Sequence, residues 1–268
     1  MKPLYIDNHC HLNFKDYDAD RDAVLQRMRE GGVGAIVVGT NMETSRQAVE
    51  LAEKNDNLYA IIGLHPIYAG GRYGREAFEY DFYKDLAKSK KVVGIGECGF
   101  DYTGSDDEDV RCQDKAFREQ IRLANELGKP LMLHVRNGAA QVGKDAYNDA
   151  LAILKKDSKV AGEAHFFAGT LPQATDFLEL GYYISFTGVV TFTSDYNDIV
   201  RYVPADRLLS ETDSPYVAPI PYRGKRCEPT YVREVVHELA EIRGISLENR
   251  AEFAAQLVQN SQKLFNIF

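Results

Sequence analysis

Short apolar runs without polar alternation recur along the chain. They are separated by longer stretches whose apolar positions return every three or four residues. The runs fall at 4–9, 35–39, 58–63, 92–96, 130–134, 160–165, 182–186 and 207–210. Continuous apolar runs of this length suit strands buried on both faces, as in a parallel sheet. The stretches between them read as helices at 17–30, 43–55, 76–88, 109–127 and 172–180, with two more at 230–243 and 247–265. Gly31-Gly32 and Gly128 stand where helix ends are expected. Eight such runs alternating with helices predict an α/β fold, a (β/α)8 barrel of the TIM type, as a single domain over 1–268. An open doubly wound sheet is the runner-up. The Pro-rich segment 215–229 is too short to link two domains and reads as an active-site loop.

Composition narrows the chemistry. At 268 residues the chain is long enough to bury a substantial core, and a barrel reaches this size as one domain. The formal net charge of −8 lacks the basic footprint of a tight, non-specific nucleic-acid binder. It leaves a phosphodiester substrate open, because bound divalent cations supply positive charge locally. Cys10, Cys98, Cys112 and Cys227 form no CxxC pair and are expected as reduced thiols. The first apolar run starts directly after Met1-Lys2-Pro3, with no signal-peptide core and no run long enough to span a bilayer. The expected location is the cytoplasm, with no membrane association and no obligate protein partner.

Five of the six histidines carry the chemical signal. His9 and His11 are two apart in Leu4-Tyr5-Ile6-Asp7-Asn8-His9-Cys10-His11-Leu12, so a strand presents both imidazoles on one face. His65, His134 and His165 also lie at or just past the C-terminal end of an apolar run. In a parallel barrel all these ends meet at one rim, where barrel enzymes place their chemistry. His237, inside the penultimate helix, reads as a surface or packing residue. Glu97 and Asp213 join the rim from the fourth and eighth runs. Either acid alone reads as a helix cap or salt-bridge partner. Beside five histidines they read as ligands of zinc, manganese, magnesium or iron. The donors exceed what one tetrahedral ion needs, so two adjacent divalent ions are expected. Glu97 is the candidate bridge, because a carboxylate can offer one oxygen to each ion. Such a pair activates water and holds both oxygens of a phosphoryl transfer.

Taken in order, these runs resemble the TatD-type family of metal-dependent deoxyribonucleases, within the amidohydrolase-like barrel superfamily. The matching segments are Ile6-Asp7-Asn8-His9-Cys10-His11-Leu12, Gly63-Leu64-His65-Pro66, Gly94-Ile95-Gly96-Glu97-Cys98-Gly99-Phe100-Asp101-Tyr102 and Leu133-His134-Val135-Arg136. They continue with His165-Phe166-Phe167-Ala168-Gly169, Glu211-Thr212-Asp213-Ser214-Pro215-Tyr216 and Pro221-Tyr222-Arg223-Gly224-Lys225. The final helix from Asn260 to Phe265 is similar as well. The resemblance implies hydrolysis of DNA phosphodiesters from a strand end. It also implies His9, His11, Glu97 and Asp213 on one ion, and Glu97, His134 and His165 on the other. Many related amidohydrolases carry a carbamylated lysine where this chain has Glu97. Asn8, Phe167 and Cys227 depart from the usual pattern without removing a ligand, and they bear on substrate preference.

Further roles follow for the remaining rim residues. Asp213 is the expected base, able both to ligate an ion and to accept the water's proton. His65 is expected to donate a hydrogen bond to phosphate or leaving group. Arg136, two after His134, faces the same way on an extended strand and suits phosphate. Arg223, and less directly Lys225, are expected to contact substrate from the Pro-rich loop. The same site acting on an ester or amide, such as a misacylated tRNA or a small cyclic amide, is the alternative activity. A barrel that keeps metal only as a scaffold is a third reading, disfavoured because every candidate ligand is present.

Overall fold

Side-chain parity along the strands sorts this chain into a barrel interior and a surrounding layer of helices. The structure, a computed structural model, describes residues 3–71, 74–138 and 144–268. The strands are β1 (Tyr5–Cys10), β2 (Val33–Val38), β3 (Leu58–Ile62), β4 (Val92–Asp101), β5 (Leu131–Arg136), β6 (Gly162–Ala164), β7 (Tyr183–Phe186) and β8 (Leu208–Ser210). They pair in parallel in chain order, which is barrel order and excludes the doubly wound alternative. In β2, Ile36 and Val38 join one buried cluster while Ala35 and Val37 join another. The first cluster takes Ile6, Ile61, Val93, Met132, Tyr183 and Leu209 from other strands, and the last helix adds Val258 and Phe265. It is the interior plug. The larger cluster lies between strands and helices.

The helices are α1 (Arg21–Glu30), α2 (Met42–Glu53), α3 (Pro66–Ala69), α4 (Tyr80–Leu86), α5 (Asp107–Leu127), α6 (Ala146–Asp157), α7 (Leu171–Glu179), α8 (Asn197–Tyr202), α9 (Val232–Ile242) and α10 (Arg250–Phe265). Local chemistry sets their ends. Asn41 and Thr44 form a capping box at α2, as do Asp106 and Asp109 at α5. Gly128 ends α5 in the left-handed conformation that glycine adopts without steric cost.

The seam between β1 and β8 closes at the rim. Asn8 Nδ2 donates to Ser210 O at 2.9 Å, Asp213 N to His9 O at 2.9 Å and His11 N to Ser214 O at 2.7 Å. The far end of the Pro-rich loop is pinned to the start of the chain. Arg226 makes a two-pronged contact with Asp20, 2.7 Å on each prong, and Tyr17 Oη donates to Cys227 O at 2.6 Å. All four cysteines are free thiols. His237 is exposed on α9 beside Tyr5. Among the described residues no helix is long and apolar enough to cross a membrane.

Candidate metal centre

The predicted ligands reach one rim from five strand ends, and His65 joins them from a sixth. His9 sits in β1 with His11 one residue past it, and His65 follows β3. Glu97 lies within β4, His134 within β5, His165 just after β6 and Asp213 shortly after β8. The strand register breaks where ligands must turn inward, between Asp7 and Cys10 in β1 and between Ile95 and Cys98 in β4. A local irregularity of this kind re-aims a side chain while the ladder resumes beyond it. Phe166 and Asp213 adopt φ of 44° and 55°, each next to or at a candidate ligand. A side-chain-bearing residue in that region costs on the order of 1–2 kcal/mol, which the surrounding contacts must hold.

Glu97 is the hub, and its two oxygens face different partners. Oε2 lies 3.4 Å from His9 Nε2 and 3.8 Å from His11 Nε2. Oε1 lies 2.9 Å from both His134 Nδ1 and His165 Nε2, and 3.3 Å from His65 Nε2. Asp213 Oδ1 completes the first group, 3.7 Å from His9 Nε2 and 3.5 Å from His11 Nε2. Three overlapping sets bring one donor atom each within 4.8 Å of one another: His9, His11 and Asp213; His9, Glu97 and His165; and His65, Glu97 and His134.

This convergence sets acceptor atoms against one another. His9 Nε2 and His11 Nε2 are 3.2 Å apart, and at most one hydrogen can lie between them. Glu97 Oε2 is buried and accepts no hydrogen bond. Burial pushes His9 down, aided by the nearby His165 charge. Burial would lower His165 too, but the Glu211 and Glu97 carboxylates hold it well above its ordinary value. His11 and His134 are likewise raised against burial, through Asp213 and through Asp101 with Glu97. Glu97 is held well below the usual carboxylate range, the surrounding imidazoles outweighing its burial. Imidazole nitrogens and carboxylate oxygens converging within 4.8 Å, with the buried Glu97 Oε2 unpartnered among them, are the complement of a cation, so these residues fit divalent metal.

His65 differs from the others. Its Nδ1 accepts a hydrogen bond from Ile67 N at 3.1 Å, capping α3. Burial and the His134 charge lower its pKa to about 4, so the ring is neutral. A neutral ring accepting at Nδ1 carries its hydrogen on Nε2. His65 therefore presents an N–H, and not a lone pair, to Glu97 and the cavity.

Two carboxylates that were not singled out in the sequence support the ligands from behind. Asp101 Oδ2 lies 3.1 Å from His134 Nε2, and Asp101 is held below the usual range, mainly by that contact opposing burial. Glu211 Oε2 lies 3.2 Å from His165 Nδ1. Asp101 lies at the end of β4, four residues after Glu97, and Glu211 just past β8, two before Asp213, and that closeness in sequence to a candidate ligand was the one available signal. Deeper still, Glu163 is fully buried with neither oxygen hydrogen-bonded, and burial pushes its carboxyl well up.

The rim encloses a cavity of about 670 Å³, lined by His11, His65, Glu97, Asp101, His134, Arg136, His165 and Asp213 among others. Phe14 stacks on His11 at 4.4 Å, and Tyr216 and Val217 of the Pro-rich loop reach the wall. Arg136 shares the cavity with His134, as strand parity predicted. Arg223 is not a lining residue. Its guanidinium stacks on Phe192 at 3.9 Å, and Lys225 is exposed beside it on the loop.

Known proteins resemble this chain over nearly its whole length. A family model described as TatD related DNase matches residues 6–266. The chain is 37% identical over 269 residues to "Uncharacterized metal-dependent hydrolase YabD" of Bacillus subtilis, covering 98% of this chain and 100% of the relative. It is 34% identical to "3'-5' ssDNA/RNA exonuclease TatD" of Erwinia tasmaniensis, covering 96% and 98%. The crystal structure of YjjV, a TatD homologue from Escherichia coli, superposes with a TM-score of 0.86 at 31% identity, covering both chains completely.

Proposed function

This chain is a metal-dependent hydrolase of the TatD related DNase family, and we propose that it cleaves phosphodiester bonds of DNA from a strand end at a two-ion centre. The single observation that carries the two-ion reading is the division of Glu97. One oxygen faces His9 and His11, and the other faces His134 and His165. In this reading His9, His11, Glu97 and Asp213 hold one divalent ion, and Glu97, His134 and His165 hold the other. Magnesium, manganese and zinc all suit these ligands. The nuclease reading draws on the family and on the relative named as an exonuclease.

When bound, the ions lower the pKa of water and offset charge on the phosphate oxygens. Asp213 accepts the proton of the attacking water, since its carboxylate is kept ionised by the imidazoles of His11 and His9 against burial. His65 donates its Nε2–H to an oxygen of the phosphate as charge builds there. Arg136, on the cavity wall, pairs its guanidinium with a phosphate. Water attacks phosphorus, the bond to the leaving sugar oxygen breaks, and that oxygen takes up a proton from solvent while Asp213 releases the one it accepted.

A second reading, hydrolysis of an ester or amide, is favoured by the charge. The chain carries −8 overall, and Arg136 is the one Lys or Arg among the described lining residues. Metal-loaded protein incubated with end-labelled oligonucleotides and, separately, with an ester and amide panel tests both. Length-resolved loss of nucleotides from one end supports the nuclease. Turnover confined to the carbonyl panel replaces it with the alternative.

A further inference from the structure

His9 and His165 lie face to face, with ring centroids 3.9 Å apart and planes inclined by 18°. In the two-ion reading they belong to different ions. Both rings turn the same edge toward Glu97, His9 Nε2 at 3.4 Å and His165 Nε2 at 2.9 Å. Their opposite edges therefore point down into the barrel together. One atom waits there for both. Glu211 Oε2 is 3.2 Å from His165 Nδ1 and 3.8 Å from His9 Nδ1. His9 Nδ1 has no hydrogen-bond partner, and among the described acids Glu211 is the one paired with it.

The other oxygen fixes Glu211 in place. Oε1 accepts from Phe166 N at 2.5 Å and from Ser185 Oγ at 2.8 Å. The left-handed backbone of Phe166 turns that N–H inward. Glu211 is fully buried. Each group hydrogen-bonded to it, Phe166 N, Ser185 Oγ and His165 Nδ1, can donate, so both oxygens serve as acceptors.

We propose that Glu211 is a positioning residue shared by both halves of the centre, holding the Nδ1–H tautomer of His9 and of His165 so that each Nε2 lone pair faces the ion site. The inference rests on the two-ion reading above. A ligating imidazole gains basicity and a fixed orientation from an acceptor behind it, and loss of such a partner typically weakens metal binding about 10- to 100-fold. Asp101 offers the contrast, since it lies behind His134 alone. Loss of Asp101 should weaken one ion, and loss of Glu211 should weaken both.

The test uses the whole chain, stripped with chelator and titrated calorimetrically with zinc. The parent should bind two ions. Glu211→Gln should weaken both steps roughly 10- to 100-fold, because an amide accepts on one end only and its NH2 cannot serve as an acceptor for the second set of partners. Asp101→Asn should weaken one step only. Glu211→Gln binding both ions within twofold of the parent overturns the proposal, and so does weakening of a single step. A parent that binds one ion overturns the two-ion reading itself.

A second measurement needs neither metal nor a folded variant. Imidazole nitrogen chemical shifts of the stripped parent, recorded at alkaline pH where the rings are neutral, report the tautomers directly. Hydrogen on Nδ1 of both His9 and His165 supports the role of Glu211. Hydrogen on Nε2 of either ring overturns it.

Discussion

Replacing His65 by two different residues separates its two jobs. His65 caps α3 through Nδ1 and offers Nε2–H to the cavity 3.3 Å from Glu97. Alanine removes both functions. Asparagine, among the best N-caps, can keep the bond to Ile67 N but is too short to replace the Nε2–H. The cap is worth about 1 kcal/mol, so His65→Ala should lower Tm by about 2 °C in a chain of this size while His65→Asn should hold it. Both variants should retain full bound metal, and both should cleave oligonucleotides roughly ten- to a thousandfold more slowly. The ionisation of His65 adds a second handle. Its folded value is about 4 against an ordinary 6.5, so the unfolded chain binds the extra proton between those limits. Stability of the stripped protein should therefore fall as pH drops from about 6.5 to about 4, by roughly 3 kcal/mol from this residue. His65→Asn should lose that part of the slope. The assays are elemental analysis, thermal melts across pH and initial cleavage rates. Recovered cleavage in His65→Asn would reduce His65 to a cap. Loss of one metal equivalent would make it a ligand.

Asp213→Asn keeps a ligating oxygen and removes the base, so turnover should fall by at least about a hundredfold while bound metal falls far less. Turnover within a few-fold of the parent would remove Asp213 from that role. Arg136→Ala should raise KM for oligonucleotides about tenfold with metal content unchanged, since a charge-assisted contact is worth roughly 1.5–3 kcal/mol. An unaltered KM would count against a phosphate contact. Metal loading should release protons near neutral pH. His11, His134 and His165 are all raised in the metal-free site, so protons compete for the ligand nitrogens and apparent affinity should climb as pH rises through the neutral range. Calorimetry in buffers of different ionisation enthalpy reads the proton count, and an affinity flat with pH would contradict the assignment.

The strands were legible because each is apolar on both faces, and all eight lie within a few residues of the apolar runs. The main departure is β4, which runs on to Asp101, five residues past the apolar run. There Cys98 to Asp101 keep pairing with Leu133 to Arg136, and polar residues serving a site do not read as strand. Helix starts were the weaker edge. Single-turn 3-10 segments at Pro229–Tyr231 and Leu247–Asn249 stand at the expected helix starts, α1 begins at Arg21 instead of 17, and α4 at Tyr80 instead of 76. α6 was not assigned, although Asp145 caps it and alanine and leucine fill it. The short α3 and α8 lack the length to show a period. That these histidines and acids meet at one rim was legible from strand-end position. The supporting layer was not, because spacing does not say which carboxylate lies behind which imidazole. The tautomer of His65 depends on a backbone N–H two residues on, which only the folded turn brings into reach.

The central claim is that Glu97 bridges two ions. Anomalous diffraction from crystals of manganese-loaded protein tests it most directly. Two peaks about 3.5–4 Å apart are expected, one on each side of the Glu97 carboxylate. The first should be bounded by His9, His11 and Asp213, and the second by His134 and His165. A single peak at full occupancy, or two peaks that do not share Glu97, would contradict it.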